Sequence, residues 1–300
     1  MTSSVSQTVS PRQAWLLASR PRTLPAAIAP VFVGSALAVQ ADLFHWPSAL
    51  AALITAVALQ VAANFANDLG DFKRGADITG RVGPTRATTA GLISPGAMSL
   101  GMWLAFSAAA LAGLYLVWRG GWPALIVGLA SILAGLAYTL GPFPLGYYGL
   151  GDLAVFIFFG LVGVVGTYYV QAMEVTALSV VASIPVGALV TAILVVNNIR
   201  DADTDRQAGK RTLAVLLGRR GARIEFLVLI GVAYLIPVVL LSWFDQGGWI
   251  LLPWLTFPIA VGLIRVVLAV LGPALNKALA GTARLAALFS ALLALGLILG

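Results

Sequence analysis

Long apolar stretches separated by short polar connections run through almost the whole chain. A helix that crosses the hydrocarbon core of a membrane needs about 20 mostly apolar residues. Nine stretches meet this requirement, at residues 24–41, 47–66, 95–117, 122–140, 150–171, 177–199, 222–242, 248–271 and 281–299. The pattern therefore predicts an all-α, polytopic membrane protein with nine transmembrane helices.

The composition also favours a membrane protein over a soluble one. Of the 300 residues, 60% are hydrophobic and 10% are charged, whereas about 25% of the residues of a typical soluble domain are charged. The absence of cysteine excludes a disulfide scaffold, thiol catalysis and cysteine-ligated metal. The net charge of +7 does not indicate nucleic acid, because the basic residues are scattered between apolar spans. We expect residues 1–19 to be a disordered cytoplasmic segment and residues 20–300 to form one transmembrane domain.

The basic residues orient the predicted helices. When the connections are counted alternately from the N-terminus, all but two of the 18 Lys and Arg residues fall on one side. The other side receives only Arg119, and Arg265 lies within the eighth span. This asymmetry places the N-terminus and the basic connections in the cytoplasm. With nine spans the C-terminus lies outside, and the two long cytoplasmic connections, 67–94 and 200–221, hold most of the polar residues.

Six of the 11 acidic residues lie in two clusters at the ends of the second and sixth spans. The first cluster contains Asn64, Asn67, Asp68, Asp71 and Asp77. The second cluster contains Asn197, Asn198, Asp201, Asp203 and Asp205. Most of these side chains recur every three or four residues, so each cluster presents a row of oxygens on one helix face.

Rows of carboxylates repel each other unless a cation lies between them. Oxygen ligands suit Mg²⁺, which binds one or two carboxylates together with water and substrate phosphate oxygens. Two facing rows predict a site for two Mg²⁺ ions with a diphosphate between them. Nearby cations would take the remaining phosphate oxygens; they are Lys73, Arg74, Arg81, Arg86, Arg200, Arg206, Lys210 and Arg211. The alternative for these cations alone is a solvated loop that obeys the positive-inside rule.

The motifs NDLGD and DADTD resemble those of the UbiA superfamily of intramembrane aromatic prenyltransferases. Three longer runs, at 20–34, 67–93 and 197–218, look like the branch that acts on 1,4-dihydroxy-2-naphthoate, and YTLGPFPLGYYGLGD at 138–152 also fits. The resemblance implies nine helices around a central cavity that opens to the cytoplasm. It also implies metal binding and catalysis by Asp68, Asp71, Asp201 and Asp205, with Asn67 as a further metal ligand. Asp77 departs from the usual spacing of the superfamily.

The activity that the resemblance implies is transfer of a prenyl group from a polyprenyl diphosphate to 1,4-dihydroxy-2-naphthoate, with loss of CO₂, in menaquinone synthesis. No base is then needed to remove a ring proton, and the only histidine, His45, is predicted on the external side. Arg22 is a candidate for the acceptor carboxylate. The aromatic candidates for stabilising the prenyl carbocation are Tyr138, Phe143, Tyr147 and Tyr148.

Three alternatives remain open. The same metal site would serve a prenyltransferase that acts on 4-hydroxybenzoate, or one that transfers a phytyl group in phylloquinone synthesis. A secondary transporter also has many spans with acidic residues. Transporters, however, bind their substrates near the middle of the membrane, whereas both acidic clusters here lie at span ends.

Overall fold

Every regular element in the described part of the chain is helical. The computed structural model describes residues 9–75, 83 and 86–300. The α-helices are α1 (Pro11–Ser19), α2 (Leu24–Gln40), α3 (Trp46–Lys73), α4 (Pro95–Ala137), α5 (Gly151–Val155), α6 (Gly163–Ala172), α7 (Ala177–Gln207), α8 (Leu213–Leu216), α9 (Gly218–Trp243), α10 (Phe257–Ala269) and α11 (Leu275–Leu299). A π-helical segment, Phe156–Val162, joins α5 to α6, and a 3₁₀ segment, Gly248–Thr256, leads into α10. The predicted all-α class is confirmed.

Eight helices of the described residues are long and apolar enough to cross a membrane. One of them, α4, has 43 residues, and a straight helix of that length would extend roughly 65 Å, about twice the hydrocarbon thickness. It is broken at Gly121, whose φ of 66° lies in the left-handed region, and Pro123 follows. Glycine tolerates this backbone conformation and proline interrupts the helical hydrogen bonds. The break divides α4 into two spans, in agreement with the predictions for 95–117 and 122–140.

Within the segment 1–19 that the sequence predicts to be disordered, residues Pro11–Ser19 form helix α1. Ser10 and Gln13 form a reciprocal capping box at its start. Trp15 packs edge-on against Phe65 of α3, with ring centroids 5.4 Å apart. A helix this short is marginal alone, and its contact with α3 is a tertiary interaction that the local sequence does not reveal.

Helix α7 lies at the centre of the bundle, whereas α4 lies at its periphery. In the most apolar window of α7, 72% of the residues are buried, against 17% in α4. Two glycines allow α7 to cross the π-helical segment closely: a Cβ on Gly160 would lie 2.8 Å from the Cα of Gly187. Small residues at such crossings let membrane helices approach and pack.

Hydrogen bonds join the short connections at one end of the bundle. The Gln40 amide donates to Gln246, the backbone N–H of His45 donates to Gln171, and the Tyr169 hydroxyl donates to the carbonyl of Gly120. Helix α3 begins at this end and carries the first acidic cluster at its other end. His45 is therefore far from the acidic cluster, as the predicted topology requires.

Exposed tryptophans mark the same end. Trp118, Trp122 and Trp243 are 79%, 73% and 80% exposed. Trp46 and Trp249 are also exposed, and all five follow or precede the short connections. Tryptophans collect at the boundary between lipid and water, so they indicate one membrane interface, opposite the acidic clusters.

We predict that Gly160→Ala destabilises the bundle by about 1–3 kcal/mol, because the added methyl group overpacks the crossing with Gly187. The measurement is the midpoint of thermal unfolding in detergent. Gly231→Ala in α9 is the matched control, since a Cβ there meets no atom within 4 Å. Equal midpoints for the two variants would show that the crossing does not limit stability.

Candidate active site

The C-terminal part of α3 carries a buried carboxylate on which three side chains converge. Asp71 accepts hydrogen bonds from the Tyr147 hydroxyl at 2.8 Å and the Lys210 ammonium at 3.1 Å, and it pairs with the Arg86 guanidinium. Its side chain is only 2% exposed. A charge this buried must be compensated by partners. Asp71 is thus the point at which three chain segments meet α3.

Asp68, one turn earlier, fixes the segment that follows the first cluster. Its two carboxylate oxygens accept the backbone N–H groups of Ala87 and Thr88, both at 3.0 Å. Because Arg86 immediately precedes these residues, this anchorage holds the Arg86 side chain beside Asp71. Both predicted carboxylates of α3 therefore lie in one buried network.

The two asparagines of the first cluster bind different neighbours. The Asn64 amide donates to the carbonyl of Ser19 at 2.9 Å and to the hydroxyl of Thr23 at 3.1 Å, at the junction of α1 and α2. The Asn67 side-chain oxygen accepts the hydroxyl hydrogen of Thr139, which follows α4. Sequence analysis missed Thr139, because its contact with α3 joins segments far apart in the chain and leaves no periodic signal.

The second cluster is organised by one arginine of α7. The Arg200 guanidinium binds both oxygens of Asp201, at 2.7 and 2.6 Å. It also donates to the side-chain oxygens of Asn197 at 2.7 Å and of Asn276 on α11 at 2.8 Å. Bidentate pairing of arginine with carboxylate fixes both groups, so Arg200 holds Asp201 in place and links it to Asn276 of α11.

Lys210 joins the two clusters. Its ammonium lies 3.1 Å from Asp71 of α3 and 3.9 Å from Asp205 of α7. Asp71 and Lys210 are 139 residues apart in the chain. The structure therefore brings the ends of α3 and α7 together around one cation.

The Tyr147 ring is covered by cations. The guanidinium of Arg74 lies 5.2 Å from the ring centroid, and the Lys210 ammonium lies 4.7 Å from it. Both distances are within the range of cation–π attraction. The ring is absent from the wall of the cavity described below, so the structure does not place it where it would face a prenyl group.

Tyr138 lies near carboxylates from three helices: Asp71 of α3, Asp152 of α5 and Asp205 of α7. Asp152 is buried and accepts a hydrogen bond of 3.4 Å from Asn198, a predicted site residue of α7.

An apolar cavity of about 770 Å³ extends from these polar groups into the bundle. Gln60, Asn64, Asn67 and Tyr138 line it near the acidic clusters, and aliphatic residues as far as Val175 at the opposite end line most of the rest. A pocket with a few convergent polar groups and an apolar remainder suits a ligand with a polar head and a long apolar body.

The aromatic residues in the cavity wall differ from most of the predicted ones. Phe143 and Tyr148 are 74% and 49% exposed and lie outside it. Phe158 and Phe159 of the π-helical segment, together with Tyr138, do line it. Sequence analysis missed the two phenylalanines because hydropathy does not distinguish a cavity-facing from a lipid-facing aromatic residue.

Several predicted site residues are exposed rather than part of the buried network. They are Arg22, Lys73, Arg206 and Arg211. Arg211 nevertheless contributes its backbone N–H, which donates to the carbonyl of Tyr147 at 2.9 Å. Arg81 and Asp77, also predicted near the site, lie outside the described residues.

The oxygen donors at the junction of α3 and α7 fit a metal that a ligand helps to coordinate. Within residues 9–75, 83 and 86–300, no three His, Cys, Asp or Glu side chains are grouped so as to hold a metal ion. Asp71 and Asp205 nevertheless flank a cation already, the Lys210 ammonium. Because Mg²⁺ needs only one or two carboxylates when phosphate oxygens and water complete its shell, these residues fit that ion.

The helices and the site define an integral membrane protein with an internal cavity that is polar at one end. The chain is a member of the UbiA prenyltransferase family, whose model matches residues 27–292. This interval contains both acidic clusters and every residue that lines the cavity.

Two bacterial relatives are similar over most of the chain. The 1,4-dihydroxy-2-naphthoate octaprenyltransferase of Escherichia coli (strain K12) is 38% identical over 305 residues, covering 98% of this chain and 97% of the relative. The protein with the same name from Mycobacterium tuberculosis is 42% identical over 227 residues, covering 76% of this chain and 77% of the relative. Both matches span more than two thirds of each chain.

A solved structure has the same fold. It is that of a UbiA homolog from Archaeoglobus fulgidus bound to GPP and Mg²⁺, with a TM-score of 0.68 and 15% sequence identity. The match covers 96% of this chain and 100% of the other. At this identity the likeness establishes the arrangement of the helices.

We predict that Asp68→Ala loosens the segment that starts at Arg86. The backbone N–H groups of Ala87 and Thr88 lose their acceptor, and leaving such buried donors unpaired costs about 1–3 kcal/mol each. Hydrogen exchange followed by mass spectrometry should show faster exchange at these two amides. Asp203→Asn is the control, because Asp203 is exposed and pairs with Arg219 at the surface. Unchanged exchange in Asp68→Ala would refute the anchoring role.

Proposed function

We propose that this chain transfers a polyprenyl group from its diphosphate to 1,4-dihydroxy-2-naphthoate, with decarboxylation, as a Mg²⁺-dependent step of menaquinone synthesis. The product of this step would be demethylmenaquinol, the hydroquinone form of demethylmenaquinone. The single observation that carries the proposal is the contact of Lys210 with both Asp71 and Asp205, beside the polar end of an apolar cavity. The names of the two bacterial relatives support the choice of acceptor.

The proposed metal ligands are Asn67, Asp68, Asp71, Asp201 and Asp205. Asp71 and Asp205 both contact the Lys210 ammonium, and Asn67 lies at the cavity wall. Asp68 and Asp201 remain among the proposed metal ligands. Each of their carboxylate oxygens accepts one hydrogen bond from the protein and keeps a further lone pair for a metal. Two ions are proposed, as the two rows of oxygens suggest. Bound Mg²⁺ stabilises the negative charge that builds on the departing diphosphate.

The cations of the site would bind the phosphate oxygens that are not coordinated by Mg²⁺. Arg86 and Lys210 have side chains that are 7% and 16% exposed, so their charges act in a medium of low dielectric constant, where electrostatic stabilisation is strong. Asn64, Asn197 and Asn198 would hold the surroundings of the diphosphate in place: Asn64 donates to the carbonyl of Ser19, Asn197 accepts from Arg200 within α7, and Asn198 donates to Asp152. The proposed outer contacts of the diphosphate are the exposed Lys73, Arg206 and Arg211, together with Arg81.

The cavity would hold the prenyl chain away from water. When the prenyl C–O bond breaks, its electron pair leaves with the diphosphate, and the carbocation faces Tyr138, Phe158 and Phe159. Each aromatic face can stabilise a cation by about 0.5–2 kcal/mol. A C–C bond then forms at the ring carbon that bears the carboxylate. The bond to the carboxylate breaks, its electron pair returns to the ring, and CO₂ leaves.

Arg22 is proposed to bind the carboxylate of the acceptor. It directly precedes Thr23, whose hydroxyl accepts a hydrogen bond from the Asn64 amide at the edge of the site. A guanidinium has the planar donor pair that suits a carboxylate.

The positive-inside asymmetry supports a cytoplasmic active site and an external C-terminus.

We predict that Asp71→Asn and Asp205→Asn each lower prenyl transfer by more than about 100-fold, because each removes charge that holds the metal and its diphosphate. Transfer of radiolabelled prenyl groups by purified protein measures the effect. Asp203→Asn, on the same helix as Asp205 but paired with Arg219 at the surface, should retain wild-type activity. Full turnover in excess EDTA would contradict the metal requirement.

We also predict that the acceptor is 1,4-dihydroxy-2-naphthoate and not 4-hydroxybenzoate. The site offers no histidine, since His45 lies at the other end of the bundle, and a decarboxylating transfer needs no base to remove a ring proton. Membranes that contain the protein should incorporate label into the naphthoate product and release CO₂ in equal amounts. Label that enters only the 4-hydroxybenzoate product would overturn this choice of acceptor.

A further inference from the structure

Tyr147 contacts both α3 and the connection after α7. Its hydroxyl donates to Asp71 of α3 at 2.8 Å, and its carbonyl accepts the backbone N–H of Arg211, after α7, at 2.9 Å. It belongs to a single 3₁₀ turn between α4 and α5, Leu145–Tyr147, and is 9% exposed. One residue of this short turn therefore connects the ends of α3 and α7.

The ring and the hydroxyl of Tyr147 have different partners. The ring lies 4.7 Å from the Lys210 ammonium and 5.2 Å from the Arg74 guanidinium. Arg74 is further fixed by the carbonyl of Thr139 at 3.4 Å. The hydroxyl donates to the carboxylate oxygen of Asp71 that also accepts the Lys210 ammonium. One aromatic ring thus contacts two like charges, and the hydroxyl on that ring shares an Asp71 oxygen with one of them, the Lys210 ammonium.

The Tyr147 ring adds to the ion pairs with Asp71 and Asp205 that hold the Lys210 ammonium in its observed position. Lys210 lies in the connection after α7 and has a flexible side chain with a strongly hydrated head group. A cation–π contact that is partly removed from water favours the conformation in which the Lys210 ammonium lies over the ring. The hydroxyl does not hold the ammonium, because it donates its hydrogen bond to Asp71.

We propose that Tyr147 is a positioning residue of the diphosphate site: its ring keeps the Lys210 ammonium between Asp71 and Asp205, and its hydroxyl orients Asp71. This inference rests on the proposed function, because Lys210 is assigned there to the phosphate oxygens. It assigns two separate tasks to one side chain, and two substitutions separate them. Tyr147→Phe removes the hydroxyl alone, whereas Tyr147→Leu removes the ring as well.

The experiment compares purified wild type, Tyr147→Phe, Tyr147→Leu and Tyr148→Leu in one detergent. Tyr148 is the matched control, because it is the next residue, is 49% exposed and packs its ring against Phe143. Three quantities are measured for each protein. They are the affinity for inorganic diphosphate in the presence of Mg²⁺, by titration calorimetry, and kcat and KM for the prenyl diphosphate.

Tyr147→Leu is expected to weaken diphosphate binding and to raise KM, each by about tenfold, since the Lys210 ammonium loses its cation–π contact with the ring. Tyr147→Phe is expected to restore both quantities to within about twofold of wild type, because the ring remains. It should still lower kcat by about tenfold, because Asp71 loses a hydrogen bond. Tyr148→Leu should match wild type in all three quantities.

A double substitution tests the link to Lys210 directly. If the ring acts through the ammonium, Lys210→Met weakens diphosphate binding about tenfold in wild type and by less than about twofold in Tyr147→Leu. Effects that multiply in the double variant would overturn the proposal. Should Tyr147→Leu not fold, Tyr147→Phe and Lys210→Met decide alone: equal losses of binding in these two variants refute a role for the ring.

The outcomes also separate this inference from the proposed function. A wild-type protein that neither binds diphosphate nor transfers a prenyl group contradicts the proposed function itself. A wild-type protein that does both, while Tyr147→Leu behaves like Tyr148→Leu, contradicts only the positioning role of Tyr147.

Discussion

The burial of the Asp71 carboxylate is the constraint on which the polar end of this bundle depends. An ionised carboxylate that is 2% exposed is stable only when hydrogen bonds and opposite charges replace its water. The partners come from separate segments: Arg86, Tyr147 and Lys210. Compensating one charge therefore fixes where the loop after α3, the turn after α4 and the connection after α7 must lie.

The same compensation prepares the site for a second negative group. Arg86 and Lys210 are held beside carboxylates and partly out of water, so their charges are oriented before a diphosphate arrives. Such preorganised charges stabilise a leaving group without further rearrangement. The cavity next to them is lined largely by aliphatic and aromatic residues, which suits a step that must exclude water.

Glycines allow several of these close approaches. A Cβ on Gly70, between Asp68 and Asp71, would lie 2.7 Å from the Thr139 side chain. Because Thr139 also bonds Asn67, the absence of a side chain at Gly70 brings α3 against the end of α4. The motif NDLGD thus combines site oxygens with the small residue that lets a neighbouring segment approach them.

The sequence by itself determined the helical class, the span positions and the two acidic clusters, because hydropathy and spacings of three and four residues are local properties. It also indicated two spans within α4, at 95–117 and 122–140. Only the tertiary structure decided that Lys210 lies between Asp71 and Asp205, that Asp68 binds backbone N–H groups, and that α1 is ordered by its contact with α3. These features depend on contacts between residues far apart in the chain, which leave no periodic pattern in either segment.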